Sequence, residues 1–310
     1  MSVPTDFESF KVKDAASYNA VVNEFELFSR RLSMPLVSRM ISLARPSPPG
    51  KVLDVGSGTG LVALQVAPYL LPGGRVVGID LSDGMLNAAK NKASELGLGH
   101  EVNFCRMDGE SLGFQDKSFD GVLSLFALLH FPRPFVAVSE MFRVLRPGGR
   151  LVVAVGSPSP VFSLSFVMQA FKHLHARELQ RRGKLLLAPR FLDGLVRKHL
   201  PEPPDADQTS LAHESLNRTR SVVRIIQEAK FINITTCWYG HEARLETAEE
   251  FWSIQRTFSS FARKRLAHAP KEKLDRLHNE FFETCRRVRA RGGEFRYPFA
   301  GFYVAAQRPI

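Results

Sequence analysis

Val52-Leu53-Asp54-Val55-Gly56-Ser57-Gly58-Thr59-Gly60 decides how the rest of this chain is read. A buried apolar strand runs into a glycine-rich turn, and the turn opens a helix. Glycine lets backbone approach a ligand closely, and a helix N-terminus presents N–H groups that no carbonyl has claimed. Tight strand–helix turns need glycine in any case, so the pattern gains weight from its surroundings. Asp80 ends the next strand, 20 residues beyond Gly60, where an acid can accept from both hydroxyls of a ribose. Asp108 follows the third strand at the same carboxyl edge.

Working outward, short apolar runs at 51–55, 75–79, 101–105, 119–125 and 149–155 alternate with helical stretches at 59–70, 83–96 and 134–145. Strands separated by helices of this length imply crossover units and a parallel sheet covered on both faces. Ahead of the first strand, 18–44 reads as one or two amphipathic helices, interrupted at Met34-Pro35 and closed by the run 46–50. Past 156 the alternation breaks and then resumes, with a helix at 219–229 and a strand at 231–238. A helical hairpin follows. Thr247-Ala248-Glu249-Glu250 is a capping-box pattern, Pro270 opens the second helix, and its stripe is Leu274, Leu277, Phe281, Cys285 and Val288. Gly292-Gly293 ends it, and 299–306 is the last strand. These segments divide the chain into a helical lid (1–48), a ligand-binding core (49–156), a variable cover insertion (157–217) and the remainder of the sheet (218–310) with the hairpin inserted at about 247–292.

Composition sets the class. With 310 residues, 44% hydrophobic and 24% charged, the chain is an ordinary globular protein, and disordered or collagen-like classes are excluded. No apolar run approaches the ~18 residues of a membrane helix, and MSVPTDFESF has neither the basic nor the apolar region of a secretory signal. Cys105, Cys237 and Cys285 give neither a disulfide framework nor metal-ligand spacing, so no metal is expected and a reducing cytoplasm fits. The net charge of +11 is uneven: residues 1–155 carry 16 basic and 15 acidic side chains, residues 156–310 carry 26 and 16. The excess is either a solvated surface or a sign of an anionic substrate, an acidic membrane or nucleic acid.

VLDVGSGTG, GIDLSDGML, MDGESLGF and FRVLRPGGRLVVAV, in this order and spacing, resemble the class I S-adenosylmethionine-dependent methyltransferases, most of all the small-molecule group containing the ubiquinone and menaquinone biosynthesis methyltransferases. The likeness is strong over about 50–156 and weak at 219–238 and the final strand. A dinucleotide dehydrogenase would place its third glycine at the position of Leu61. The resemblance implies a Rossmann-like, seven-stranded, mostly parallel sheet with helices on both faces, an N-terminal helical lid, helical insertions, and S-adenosyl-L-methionine as cofactor. It places Gly56, Gly58, Thr59 and Gly60 at the cofactor, with the glycine loop under its methionine part and Asp54 bracing that loop. Asp80 would take the ribose hydroxyls, Leu81 pack on the adenine, and Asp108 with Gly109 meet the adenine amine. Leu125 and the lid aromatic Tyr18 would lie near the methionine part.

Methyl transfer is an in-line displacement on an activated carbon, so positioning and exclusion of water supply much of the acceleration. A base is needed only where the acceptor must lose a proton. His130, after the fourth strand, is the one candidate; the alternative is a structural histidine in a turn. His173, His175, Arg133 and Arg190 are weaker candidates for contacts to an acceptor. Nucleic acid is disfavoured: the Asn/Asp-Pro-Pro-aromatic motif of base-amino methylation is replaced by Ser124-Leu125-Phe126-Ala127, and no Pro-Cys pair exists. Phenylalanine is abundant, 24 residues, and Phe162, Phe166, Phe171, Phe191, Phe251, Phe258, Phe261, Phe281 and Phe282 fall in the added helices, some as core and some lining a cavity. The leading reading is a methyltransferase for a small, partly apolar acceptor, such as a quinone precursor, polyketide-like metabolite, sterol or lipid, with an anionic or lipid-like group among the options. An RNA methyltransferase drawing on Arg263-Lys264-Arg265 and Arg286–Arg291, two runs expected on outer helix faces, is one alternative. A non-catalytic binding module that keeps the cofactor fold is another.

Overall fold

The computed structural model describes residues 7–156, 174–188, 190–200 and 219–310. Its sheet has the strands β1 (Lys51–Val55), β2 (Arg75–Asp80), β3 (Val102–Arg106), β4 (Phe119–Leu125), β5 (Leu145–Gly156), β6 (Leu185–Leu187), β7 (Ile232–Leu245) and β8 (Glu294–Gln307). The order is β3-β2-β1-β4-β5-β8, with β7 on the far side of β8. The first five strands pair in parallel, whereas β8 runs antiparallel to both β5 and β7. Seven strands thus form the expected Rossmann-like sheet. The eighth, β6, is a three-residue addition from the insertion that pairs with the start of β8, Leu185 opposite Glu294.

The helices are α1 (Phe7–Asn19), α2 (Val22–Ala44), α3 (Leu61–Val66), α4 (Asp83–Glu95), α5 (Pro134–Val144), α6 (Arg190–His199), α7 (Thr219–Glu228), α8 (Ala248–Phe258), α9 (Ser260–Ala267) and α10 (Lys271–Ala290). Two expectations are corrected here. The chain does not break at Pro35, because α2 continues through it with Leu32, Leu36, Val37 and Met40 buried against the rest of the fold on either side of the proline. The hairpin is three helices, not two. Ser259 accepts from the Ala262 N–H at 3.1 Å and so caps a separate α9. The expected cap forms, with the Thr247 hydroxyl accepting from the Glu250 N–H, but the return bond of the box shifts by one residue, the Glu250 carboxylate accepting from the Glu246 N–H and not from that of Thr247. Phe162, Phe166, Phe171 and His173, and the side chain of Arg190, lie outside the described residues.

Three apolar clusters hold these layers. Two lie on the two faces of the sheet, one against α5 and α7 and the other against α2, α3 and α4. The third joins α2, α6, α8, α9 and α10 to the near ends of β7 and β8, with Phe251, Leu277, Phe281 and Phe295 fully buried in it. Here the α10 stripe read from the sequence is core: Leu277, Phe281, Cys285 and Val288 are buried, and Leu274 is half-buried. No helix among the described residues is long and apolar enough to cross a membrane.

Because Phe281 packs among the rings of Phe191, Phe251 and Trp252 in this third cluster, Phe281→Ala is expected to cost about 3–5 kcal/mol of stability. Its half-buried neighbour Phe282 should cost clearly less on the same change, and urea titrations of the two variants check the order.

Candidate active site

The Gly56–Gly60 turn is built by backbone that only glycine adopts without strain. Gly56, Gly58 and Gly60 all have positive φ, at 73°, 52° and 81°. Packing reinforces this at the outer two: a Cβ on Gly56 would sit 2.2 Å from the Ala127 Cβ, and one on Gly60 would sit 2.7 Å from the Phe104 ring. Gly58 differs, since its Cβ would meet nothing closer than Phe25 at 3.7 Å. Ser57 and Thr59 between them are buried, and neither hydroxyl has a hydrogen-bond partner among the described residues.

Asp54 is buried beneath the turn and accepts from the Ala63 N–H of α3 at 3.1 Å. Its other oxygen has no hydrogen-bond partner among the described residues. Burial outweighs this single N–H and, with the charge of Asp80 adding to it, pushes the Asp54 carboxyl up to about 7. Asp80 is better provided: its carboxylate accepts from Gly58 N–H and from Ser82 N–H, both at 2.9 Å, which ties the turn to the end of β2. Burial still raises its carboxyl above the ordinary range against those donors.

These groups border a cavity of about 1150 Å³. Of the residues expected at the cofactor, Tyr18, Gly56, Gly58, Thr59, Asp80, Leu81, Gly109 and Leu125 line it, as does His130. Asp54 and Gly60 stand behind the lining and shape it. Asp108 departs from expectation, because α1 reaches it first. Lys11, only 3% exposed, places its ammonium 2.6 Å from Asp108, 2.8 Å from Glu110 and 2.9 Å from Glu8. Burial works to lower the Lys11 ammonium, but the three carboxylates outweigh it and hold it above its usual range. Asp108 therefore sits under a lysine at the cavity's edge. The remaining candidates fall away from the lining: Arg133 pairs with Glu110 at 2.8 Å, and His175 is exposed on the insertion.

The other wall of the cavity is aromatic. Phe25, Phe126, Phe258, Phe299, Tyr297 and Trp238 contribute to it. Of the insertion phenylalanines, Phe258 lines the space, Phe251 and Phe281 are core, and Phe191, Phe261 and Phe282 pack around that core. Phe25, Phe126 and Phe299 were missed by a reading that looked for aromatics only in the added helices. Arg263 and Arg265 are also not where an outer face would put them. Both are buried, and the Arg263 guanidinium lies 4.0 Å from the centroid of the Tyr18 ring and donates to the Thr257 carbonyl and the Ser17 hydroxyl.

Sequence reading also missed Asp14. Its carboxylate lies 2.9 Å from His130 Nδ1 and 2.5 Å from the Lys264 ammonium, and Tyr18 Oη lies 3.2 Å from His130 Nε2. Burial alone would raise the Asp14 carboxyl, but His130 and Lys264 hold it far below the usual carboxylate range. Lys11, Asp14 and Tyr18 recur at helical spacing along α1, which was the available signal. It went unread because the helix was started at Tyr18.

Known proteins resemble this chain in sequence and in fold. The Methyltransferase domain family matches residues 53–153. Demethylmenaquinone methyltransferase of Thermus thermophilus is 35% identical over 158 residues, which is 50% of this chain and 70% of that protein. The biotin biosynthesis bifunctional protein BioHC of Teredinibacter turnerae is 34% identical over 161 residues, 50% of this chain but only 28% of that much longer protein. Geranyl diphosphate C-methyltransferase from Streptomyces coelicolor A3(2) shares the fold at 14% identity, with a TM-score of 0.54 over 99% of this chain and 100% of that one. The chain belongs to the S-adenosylmethionine-dependent methyltransferases, and S-adenosyl-L-methionine is its cofactor.

The residues present fit that group. The turn offers two buried hydroxyls with no hydrogen-bond partner among the described residues, an open approach at Gly58, and an acid at Asp80 beside it. The raised Asp54 carboxyl has a consequence for stability. The folded state holds the proton more tightly than the unfolded chain, so stability falls as pH rises from about 4 to about 7 and then levels. Asp54→Asn removes this contribution. The gap in melting temperature between variant and wild type is therefore expected to shift in the variant's favour from pH 5 to pH 7.5, as scanning calorimetry at the two pH values would show.

Proposed function

We propose that the enzyme methylates a small, partly apolar acceptor of quinone-precursor type, bound against the aromatic wall of the cavity with its reacting atom toward the glycine turn. The observation that carries this reading is one cavity bordered both by the turn and Asp80 and by eight aromatic side chains, the six named above with Phe131 and Tyr18. Small-molecule sites have this make-up, mainly apolar with a few polar anchors. The relative from Thermus thermophilus, named for demethylmenaquinone, supports the same acceptor class. Arg177 and Gln180 also line the space and suit an acidic or polar substituent on the acceptor. An RNA substrate would require an open basic groove, and the cavity lining is mainly apolar. The three cysteines are all free thiols, which fits a cytoplasmic setting.

In this reading the chain's residues divide the work. Gly56, Gly58, Thr59 and Gly60 hold the methionine part of the cofactor, with Leu125 and Tyr18 near it, and Asp54 fixes the turn from behind. Asp80 takes the ribose hydroxyls, and Leu81 and Gly109 flank the adenine. Asp108 would reach the adenine amine while keeping its bond to Lys11, since each carboxylate oxygen can accept more than one hydrogen bond. The cofactor supplies a methyl group already activated on a sulfonium. The protein's task is to align the acceptor with it and to keep water out, and the aromatic wall serves both needs.

Calorimetry with S-adenosylhomocysteine tests the assignment. Wild-type protein should bind it, and Asp80→Ala should weaken binding by about 10- to 100-fold, the scale of hydrogen bonds to a charged group. No binding by the wild type, or undiminished binding after the substitution, would defeat the proposal. Release of S-adenosylhomocysteine on adding a hydroquinone bearing a short apolar chain would then establish the acceptor class.

A further inference from the structure

Asp14, His130 and Tyr18 form a chain of contacts in the wall of the cavity. The carboxylate of Asp14 comes from α1, the lid helix, and crosses 116 residues of sequence to reach His130 Nδ1 at 2.9 Å. With Asp14 ionised, Nδ1 donates to it, and in the neutral ring Nε2 is then the acceptor, facing the Tyr18 hydroxyl at 3.2 Å. Both His130 and Tyr18 line the cavity, and His130 keeps 27% of its side chain exposed. Asp14 is buried, paired on its other oxygen with Lys264, and kept ionised by that ammonium and by its bond with His130. Arg263 stacks on the Tyr18 ring and holds it in place. A histidine oriented by a buried carboxylate, its second nitrogen turned toward a substrate cavity through a hydroxyl, is the arrangement of a general base.

We infer that Tyr18 and His130, oriented by Asp14, remove the proton from a ring hydroxyl of the acceptor, so that the acceptor class is a phenol or hydroquinone that must be ionised before it reacts. This rests on the methyltransferase reading above and specifies its acceptor. The acceptor's O–H bond breaks and its proton passes to Tyr18 Oη, while the proton of Tyr18 passes to His130 Nε2. The oxygen keeps the electron pair, which is shared with the ring carbons ortho and para to it, and the new imidazolium is stabilised by the Asp14 carboxylate. The phenolate, through oxygen or through such a ring carbon, would take the methyl group as that group's bond to the cofactor sulfur breaks, which would leave S-adenosylhomocysteine. In the second case the ring hydrogen at that carbon leaves as a proton when aromaticity is restored. Since Asp14 and Tyr18 both belong to α1, His130 has its orienting carboxylate and its relay hydroxyl only when that helix lies over the cavity, which ties proton removal to closure of the site.

The test uses 4-nitrocatechol, whose ionised form is coloured. The full-length protein is mixed with it and with S-adenosylhomocysteine at a pH below the probe's own ionisation point. Wild type should show the nitrophenolate band. H130Q should show the neutral phenol, and D14N a reduced band, with folding of each confirmed by circular dichroism. In turnover with unsubstituted hydroquinone, H130Q should lose about 10²–10⁴-fold, the usual contribution of a positioned base, and lose much less with 4-nitrocatechol, which ionises more easily. Absence of the band in the wild type, an equal band in H130Q, or equal losses with both acceptors would overturn the inference. Binding of S-adenosylhomocysteine, measured on the same samples, separates the two failures. Intact binding without the band removes the base alone, whereas no binding by the wild type removes the methyltransferase reading with it.

Discussion

Everything around the cavity is placed by a close approach of backbone to backbone and side chain at the Gly56–Gly60 turn. The chain leaves β1, bends through three left-handed residues and enters α3 with the methyl group of Ala127 and the ring of Phe104 in van der Waals reach of glycine α-carbons. A single Cβ at either end of the turn would push the loop away from β4 or from β3. The hydrogen bonds built on this approach then run in one direction. Asp54 holds the first turn of α3, Asp80 holds Gly58, and the Ser82 hydroxyl caps α4 at Met85 while donating to Asn19 of α1. The lid is therefore attached to the same framework that sets the turn.

The strand–turn–helix units of the first half were legible because each is locally determined. The β-branched strands, the glycine turn and the Ser82 cap give the same answer whatever packs on them, and β1 and β4 fall where the pattern puts them, to the residue. Asp80 was legible for the same reason, because its place depends only on where β2 ends. Asp14 was not, because its meaning arises from His130 and Lys264, which lie 116 and 250 residues away and meet it only in three dimensions. Lys11 misleads in the same way: in sequence it is one of many lysines, and its burial among three carboxylates depends on how α1 crosses the sheet. The separate α9 turned on one serine hydroxyl, and a helix pattern with continuous periodicity gives no hint of that break.

Charge in the second half is of two kinds. On α10, Arg286 and Arg287 are exposed, as is Arg291 just past its end, and they fit a solvated surface. Arg263, Lys264 and Arg265 are instead engaged on Tyr18, Asp14 and Phe261. Part of the basic excess is thus internal and serves the cavity. Counted as surface charge, these side chains would suggest a polyanionic partner. In place, they neutralise a buried acid and cover two aromatic rings.

β8 has a mechanical consequence. Its last seven residues are zipped to β5 in the centre of the sheet, and its first three are paired with β6 in the helical cover, while β7 runs alongside almost its whole length. One continuous ribbon therefore belongs to both bodies and acts as a spine between them. Opening the site by swinging the cover away from the sheet would mean bending that ribbon and tearing its ladder on both edges. α1 has no such tie. It is fastened over the cavity by ion pairs and hydrogen bonds of Lys11, Asp14, Tyr18 and Asn19. Passage beneath α1 is then a matter of breaking side-chain contacts, and because the Lys11 and Asp14 pairs are buried, dissolved salt screens them only weakly.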